Sequence, residues 1–431
     1  MAIYPFKTIS VIVFSALLLA LFNANSEAVP VFARKYKTSC MTCHTVFPKL
    51  NTFGEAFRRN GYQIPDADER YIKEKPVSLG AEAWKEVWPE GVWPGEIAGS
   101  APFSLAANSL YRYDSNSQVK HDFTFPDEIE ILSAGTLGED ISFFGSIALI
   151  KDGNNFGGVE RLFLRFDNLF DHSLPKHFLN LTIGQFEPSI TPSSNRRRLT
   201  HTSYLSNTFE VGKNNFHFSD QRGIEIDGMA KSRLSYAIGV VNGNGVGKMD
   251  TSSGALDNNS SKDVYLKVGY KFGGFGLDGF GIGTGERAGL QEIGLEKSIS
   301  VSALGYYGEN RISGFNIDDQ FYRYGLAFDI NYDSINLFGA IVRGKHDNPR
   351  GDFIKTLVTS CFSEVDVIIY PWLVGILRYD VADIEHENKR DEVVMGIVAL
   401  IRTNIKLAIE GALHTAGGDS DKGFIKLTFA L

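Results

Sequence analysis

The run Lys262-Asp263-Val264-Tyr265-Leu266-Lys267-Val268-Gly269-Tyr270-Lys271-Phe272 sets Val264, Leu266, Val268, Tyr270 and Phe272 at alternate positions, with Lys267 and Lys271 between them. Successive side chains of a strand point to opposite sides, so this spacing makes one apolar and one charged face. The pattern recurs downstream. Tyr322, Tyr324, Leu326, Phe328, Ile330 and Tyr332 share a face against Arg323 and Asp329, and Ile405, Leu407, Ile409 and Leu413 share one against Lys406, Glu410 and His414. The chain closes on Ile425, Leu427, Phe429 and Leu431 at the same spacing.

One such strand occurs in any β protein, so the count decides. About 16 are expected, the first near 103–113 and the last near 421–431, an even number as bacterial outer-membrane barrels require. Short links at 137–140, 231–232, 332–333, 370–371 and 402–404 alternate with longer polar ones such as 188–220 and 243–261. Short turns of such barrels face the periplasm and long loops face outside, which puts both termini in the periplasm. The link 273–295 breaks the alternation, being long and Gly-rich where a turn is due, and leaves room for a further strand pair. A soluble propeller is the competing architecture, but no blade-length repeat is visible and the strands are apolar on one face only. The expected fold is an all-β transmembrane barrel of antiparallel strands over 103–431, its polar lumen lined by Arg161, Arg165, Lys267, Lys271, Glu225 and Asp227.

The formal net charge is −8 with no basic block, so there is no footprint for nucleic acid. Residues 1–28 read as a secretory signal: Lys7, an apolar run from Ile9 to Phe22, then Ser26-Glu27-Ala28 at the cleavage point. That run of about 14 residues falls short of the ~20 that a helix needs to cross a bilayer. No later apolar run is long enough either, which leaves strands as the means of insertion. The 3 cysteines are too few for a disulfide framework, and Cys361 reads as a small buried or lipid-facing residue.

Cys40-Met41-Thr42-Cys43-His44 is the C-x-x-C-H pattern, in which two thiols add across haem vinyl groups and the adjacent imidazole takes the iron. A redox cysteine pair and half a zinc site compete, but zinc needs further Cys or His ligands and none follows before His121. Residues 29–76 are therefore expected to form a small α-helical monohaem c-type cytochrome segment with one covalently bound haem c: Cys40 and Cys43 as thioether positions, His44 as the metal ligand. From Pro48 to Gly61 the spacing predicts a short amphipathic helix, Gly61 as its C-cap, whose face of Leu50, Phe53, Ala56 and Phe57 covers the haem plane. Fewer than ~50 residues do not stabilise themselves alone, so the haem and the rest of the chain must help. After His44 the segment holds neither methionine nor another histidine, so its sixth axial position is open or filled from downstream. Met229, on the lumen side of the expected strand 221–230, is the candidate, with His201 and His217 as alternatives. Residues 77–102 read as a linker, and Arg196-Arg197-Arg198 as a solvated basic run.

Pro30-Val31-Phe32-Ala33-Arg34, Cys40-Met41-Thr42-Cys43-His44, Pro48-Lys49-Leu50, Phe53-Gly54 and Gly61-Tyr62 together resemble the N-terminal signature of the fused outer-membrane monohaem cytochrome-porins linked to iron(II) oxidation. The match covers the haem segment, while the barrel agrees in organisation rather than in motif. The resemblance implies that the segment sits in or beneath the pore, takes electrons from extracellular iron(II) and passes them to a periplasmic c-type cytochrome. His44 carries over as proximal ligand, and Cys40 and Cys43 as the thioether positions. The chain departs from the usual barrel terminus by ending in Leu431, with Phe429 two before it. Two other functions use the same parts: a porin-type transport module with the haem segment as plug, and outward electron flow to an extracellular acceptor.

Overall fold

The computed structural model describes residues 31–65, 68–73, 77–78, 86–87, 89, 96–97, 102–244, 256–281, 296–312, 317–416 and 420–431. The expected signal at 1–28 and most of the 77–102 linker lie outside them. Sixteen strands form one closed antiparallel barrel. They are β1 Phe103–Asp114, β2 His121–Thr136, β3 Ile141–Ile150, β4 Gly158–Phe166, β5 Asn180–Phe186, β6 Gln221–Ala230, β7 Leu234–Val241 and β8 Asp263–Gly273. The second half is β9 Ser298–Arg311, β10 Asp318–Tyr332, β11 Ile335–His346, β12 Thr356–Tyr370, β13 Leu373–Ile384, β14 Arg390–Arg402, β15 Ile405–Ala416 and β16 Lys422–Ala430. Closure comes from β16 against β1, with Phe429 opposite Ala107.

Every expected strand is present. β8 and β9 are hydrogen-bonded to each other directly, so no further strand pair stands between them in the sheet. β2 starts at His121 and carries Pro126 where the register with β1 shifts between Asn108 and Leu110. Proline is tolerated at such bulges.

Leu266, Leu326, Ile341, Leu377, Ile397 and Ile409 stand exposed on the outer face. Exposed Phe272, Tyr332, Tyr370 and Trp372 ring one end, and Tyr307, Tyr322 and Tyr324 the other. An apolar band between aromatic girdles is the surface of a barrel that crosses a hydrocarbon layer, and far exceeds the apolar patches of water-soluble proteins. Cys361 shares this outer face with its partner Ile341.

The lumen is occupied by two inward-folded pieces. The first is the loop 187–220, expected outside the barrel; instead Ile190, Leu199, Tyr204, Phe209, Val211, Phe216 and Phe218 are buried. Its aromatic residues find partners on the wall: Tyr204 lies 4.8 Å from Phe362, Phe216 4.6 Å from Tyr306 and 4.9 Å from Phe321. Burying those rings outweighs the loop's polar composition. Arg196, Arg197 and Arg198 are accordingly not a solvated run. Arg196 Nε donates to Glu187 at 3.1 Å, Arg197 Nη1 to Asp329 at 2.7 Å, and Arg198 to the Ser203 hydroxyl.

The second piece is the N-terminal segment, lodged at the short-turn end. Val31 N–H donates to Ser104 Oγ at 2.9 Å, Gln63 Nε2 to the Glu139 carbonyl at 2.9 Å, and Lys406 Nζ to the Phe47 carbonyl at 2.9 Å. Lys49 Nζ pairs with the Asp366 carboxylate and donates to Asn336 Oδ1 at 2.7 Å, both ions buried. Removing one partner of a buried pair leaves an uncompensated charge, costing about 3–5 kcal/mol. Lys49→Met is therefore expected to loosen the segment while the barrel persists, read as faster proteolysis within 31–73 at unchanged heat-modifiable gel mobility.

Candidate functional site at the Cys40–His44 motif

The segment opens with helix α1, Val31–Tyr36, then a single 3-10 turn over Cys40–Thr42. Ser39 starts the turn: its carbonyl accepts from Thr42 N–H at 3.0 Å, and Cys40 accepts from Cys43 N–H at 3.2 Å. At three residues per turn, Cys40 and Cys43 fall on the same side. His44–Val46 and Lys49–Leu50 then form a two-stranded hairpin turned by Phe47-Pro48, and α2 runs over Thr52–Arg59. Pro48 thus belongs to the hairpin turn rather than to the helix start expected from sequence.

The helix start belongs to Asn51. Its Oδ1 accepts from Gly54 N–H at 2.8 Å, a side-chain N-cap. Its Nδ2 donates to the Thr42 carbonyl at 3.1 Å, and its backbone N–H to the Cys43 carbonyl at 2.9 Å. Asn51 therefore locks α2 to the C-x-x-C turn, a role the sequence reading missed although Asn three residues before Gly54 is a capping signal.

Phe53, Ala56 and Phe57 form the buried face of α2, as the spacing predicted, while Leu50 turns to the lumen cavity described below. Phe53 and Phe57 pack with Tyr36, Tyr62 and Ile64, and Cys43 and Phe32 lie against that cluster. Phe32 stands 5.1 Å edge-on to Phe57 and 5.3 Å stacked on Tyr62. Gly54 makes the approach possible, since a Cβ there would lie 2.0 Å from the Cys43 carbonyl oxygen. Gly54→Ala must push α2 off the motif, an overpacking cost of about 1–3 kcal/mol. The expected result is a lower temperature for thermal loss of the segment's near-UV aromatic signal.

His44 Nδ1 lies 3.2 Å from the Pro48 carbonyl. A carbonyl only accepts, so Nδ1 carries the hydrogen and the neutral ring keeps its lone pair on Nε2, the arrangement a metal-ligating imidazole needs. Desolvation lowers the imidazole pKa to about 4, keeping that lone pair available. Burial pushes the Cys43 thiol up to about 12 and raises Cys40 as well. A redox-exchanging Cys pair needs a depressed thiol pKa, and neither cysteine has one. Among the described residues no three Cys, His or acidic side chains gather into a metal cage. Two thiols on one side of a turn and an adjacent imidazole whose Nδ1 is turned to the Pro48 carbonyl fit the donor set of a c-type haem.

Beside the motif, a cavity of about 390 Å3 separates α2 from the inward loop and the wall. Arg161, Arg165, Lys267, Lys271, Glu225 and Asp227 all line it, as expected, together with Glu55, Arg58, Arg59 and Arg197. Arg165 bridges Asp167 at 2.7 Å and Asp227 at 2.5 Å, and Lys267 Nζ donates to the Ser189 carbonyl at 2.8 Å. On α2, burial alone would raise Glu55, but Arg58 and Arg59 outweigh it and hold the carboxyl at about 2. Cys40, Cys43 and His44 do not line this space, so the cavity and the motif are neighbouring features.

Met229 is buried near the end of β6, its N–H bonded to the His177 carbonyl at 2.8 Å. It is not among the apolar side chains that cluster with Cys43. His201 lies 4.4 Å from the Phe424 ring, and His217 Nε2 3.4 Å from Glu210.

No family model and no curated protein matches the chain. Solved structures do resemble it. The anion-selective porin of Comamonas acidovorans is 11% identical with TM-score 0.53, covering 76% of this chain and 98% of that one. OmpF of Salmonella typhi is 10% identical with TM-score 0.51, covering 78% and 98%. The outer membrane channel DcaP of Acinetobacter baumannii is 10% identical with TM-score 0.50, covering 76% and 96%. At these identities the likeness is one of fold: a closed 16-stranded barrel similar to those of outer-membrane porins.

Proposed function

We propose that this chain is an outer-membrane electron-transfer protein of the cytochrome-porin kind, taking electrons from extracellular iron(II) through one haem c and passing them to a periplasmic c-type cytochrome. The observation that carries the reading is the C-x-x-C-H segment folded inside the short-turn end of a closed barrel, held there by Lys49, Phe47 and Gln63. Cys40 and Cys43 would hold the haem by thioethers and His44 Nε2 its iron, oriented by Pro48. Bound there, the haem supplies a one-electron couple whose potential follows its axial ligands and burial. Short turns of outer-membrane barrels face the periplasm, which supports both termini on that side and the motif within reach of a soluble partner. Iron(II) as donor rests on the resemblance of the N-terminal signature.

The chain's residues do positioning work only. The aromatic cluster of Tyr36, Phe53, Phe57 and Tyr62 excludes water on one side of Cys43, and Asn51 fixes the turn to α2. Purified full-length protein is expected to carry the added porphyrin mass on the peptide containing Cys40 and Cys43, and to show reduction of its haem absorption bands on titration with iron(II). A mature polypeptide without that mass would remove the reading.

A transport module is the second reading, favoured by the porin-like barrel and its charged cavity. It calls for solute conductance in a reconstituted bilayer, and the two inward pieces oppose it. Outward electron flow would instead require a haem potential well below that of the iron couple.

A further inference from the structure

Around the cavity beside α2, two cations differ from their neighbours in having no carboxylate hydrogen-bonded to them. Lys49, Arg165, Arg197 and Lys271 are each paired, with Asp366, Asp227, Asp329 and Glu296. Arg59 of α2 makes no hydrogen bond among the described residues. Its Nε stops 4.0 Å from Glu55 Oε2, an atom that Arg58 already engages at 2.9 Å. Lys267 of β8 gives one Nζ proton to the Ser189 carbonyl at 2.8 Å, and no carboxylate of the described residues lies within ion-pair distance of it. Both side chains line the cavity. A guanidinium fork and an ammonium with protons to spare therefore face one space of about 390 Å3, where the N-terminal segment, the inward loop and the wall meet.

The nearby acids are committed elsewhere. Glu225, within electrostatic reach of Lys267, accepts from Ser189 N–H at 2.8 Å, from Ser189 Oγ at 2.7 Å and from the Tyr265 hydroxyl at 2.5 Å. Asp227, within reach of Arg59, takes two bonds from Arg165 at 2.5 and 3.0 Å. The two arginines of α2 show the imbalance. Burial, then Arg58, lower the Arg59 pKa in spite of Glu55 and Asp227, whereas at Arg58 burial is outweighed by Glu55 and the pKa is raised. Arg59, Arg197 and Arg58 are in turn the cations that act on Lys267. Like charges gathered in a water-poor lumen repel, and an anion between them turns that repulsion into attraction.

We infer that Arg59 and Lys267 bind one small tetrahedral oxyanion of the phosphate class, which bridges α2 to β8 and locks the N-terminal segment into the barrel. Phosphate suits the two donors: a guanidinium takes its oxygens in bidentate fashion, and an ammonium binds it as a point charge. Cys40, Cys43 and His44 take no part, so the site stands apart from the haem reading. It is also distinct from a path for passing solutes, because half of it is supplied by α2, the piece lodged in the lumen.

The test titrates full-length protein with inorganic phosphate, against chloride at matched ionic strength, reading binding by calorimetry and the hold on the segment by proteolysis within 31–73. One phosphate per chain is expected. At about ten times the dissociation constant cleavage should slow about tenfold, since only the seated segment binds. Arg59→Gln and Lys267→Gln are each expected to weaken binding by about tenfold or more and to remove most of that protection. Lys267→Arg should keep it, and Lys262→Gln, paired with Asp257 at the far mouth, should leave it unchanged. Heat-modifiable migration checks assembly, and if one Gln variant fails to assemble the other decides alone. Phosphate that binds no more tightly than chloride overturns the inference, as does wild-type affinity in an assembled Gln variant. Tight binding that leaves the cleavage rate unchanged overturns the bridge between α2 and β8.

Discussion

On the proposed haem reading, replacing Cys40 and Cys43 together with alanine is expected to abolish covalent porphyrin, read as complete loss of peroxidase stain at the full-length band in a denaturing gel. The barrel should still assemble, because its closure is a strand ladder from β1 to β16 in which neither cysteine takes part. Cys43→Ala alone should cost more than Cys40→Ala alone. The Cys43 side chain is set against the aromatic cluster, so its loss also opens a gap in that packing, whereas Cys40 does not join the cluster. Cys361→Ala is the control: it faces outward on β12, and staining should match the wild type. His44→Ala should retain attachment but shift the absorption bands through loss of the nitrogen ligand.

Arg378→Met is expected to destabilise the lumen more than any other single change considered. Arg378 is fully buried, with Nε 2.6 Å from Asp380 Oδ2 as a charge contact rather than an aligned hydrogen bond. Nη2 donates to Glu392 at 3.2 Å, and Glu364 lies 3.6 Å from Nη1. The same guanidinium donates to Thr200 Oγ1 at 2.9 Å and to the Thr202 and Ser203 carbonyls at 3.2 Å. It is thus the cation shared by three wall carboxylates while gripping the inward loop. Its loss strands those acids and frees the loop, a cost of about 3–5 kcal/mol. In planar bilayers the variant should conduct ions more strongly than the wild type; unchanged conductance and unchanged thermal stability would show that the loop is held elsewhere.

The barrel was legible because each strand has one face toward lipid and one toward the lumen, which prints a period of two on residues such as Leu266 and Lys267. The lumen parity of Arg161, Arg165, Glu225 and Asp227 followed from the same rule. The loop 187–220 was not legible. Its apolar residues are spaced without period, so only the partners on β9, β10 and β12 reveal that Phe216 and Tyr204 turn inward. Arg196 to Arg198 misled for the same reason, since nothing in their own run shows that Arg196 meets Glu187, Arg197 meets Asp329 and Arg198 meets Ser203. In the motif, residue types alone suggested the donor set, but Pro48 was read as a helix start. Its place in the hairpin, and the resulting bond to His44, depend on how Asn51 caps the next helix.

Lys49 meets Asp366 across 317 positions of sequence, and Lys406 meets the Phe47 carbonyl across 359. The segment that leads the described chain is therefore held by strands made last, and its contacts with β12 and β15 close around it only once β16 joins β1. Attachment of a prosthetic group to Cys40 and Cys43 is therefore expected during export, before the segment is seated. Pulse-labelled chains trapped before assembly should already bear the modification, and an unmodified precursor chased into finished barrels should stay unmodified.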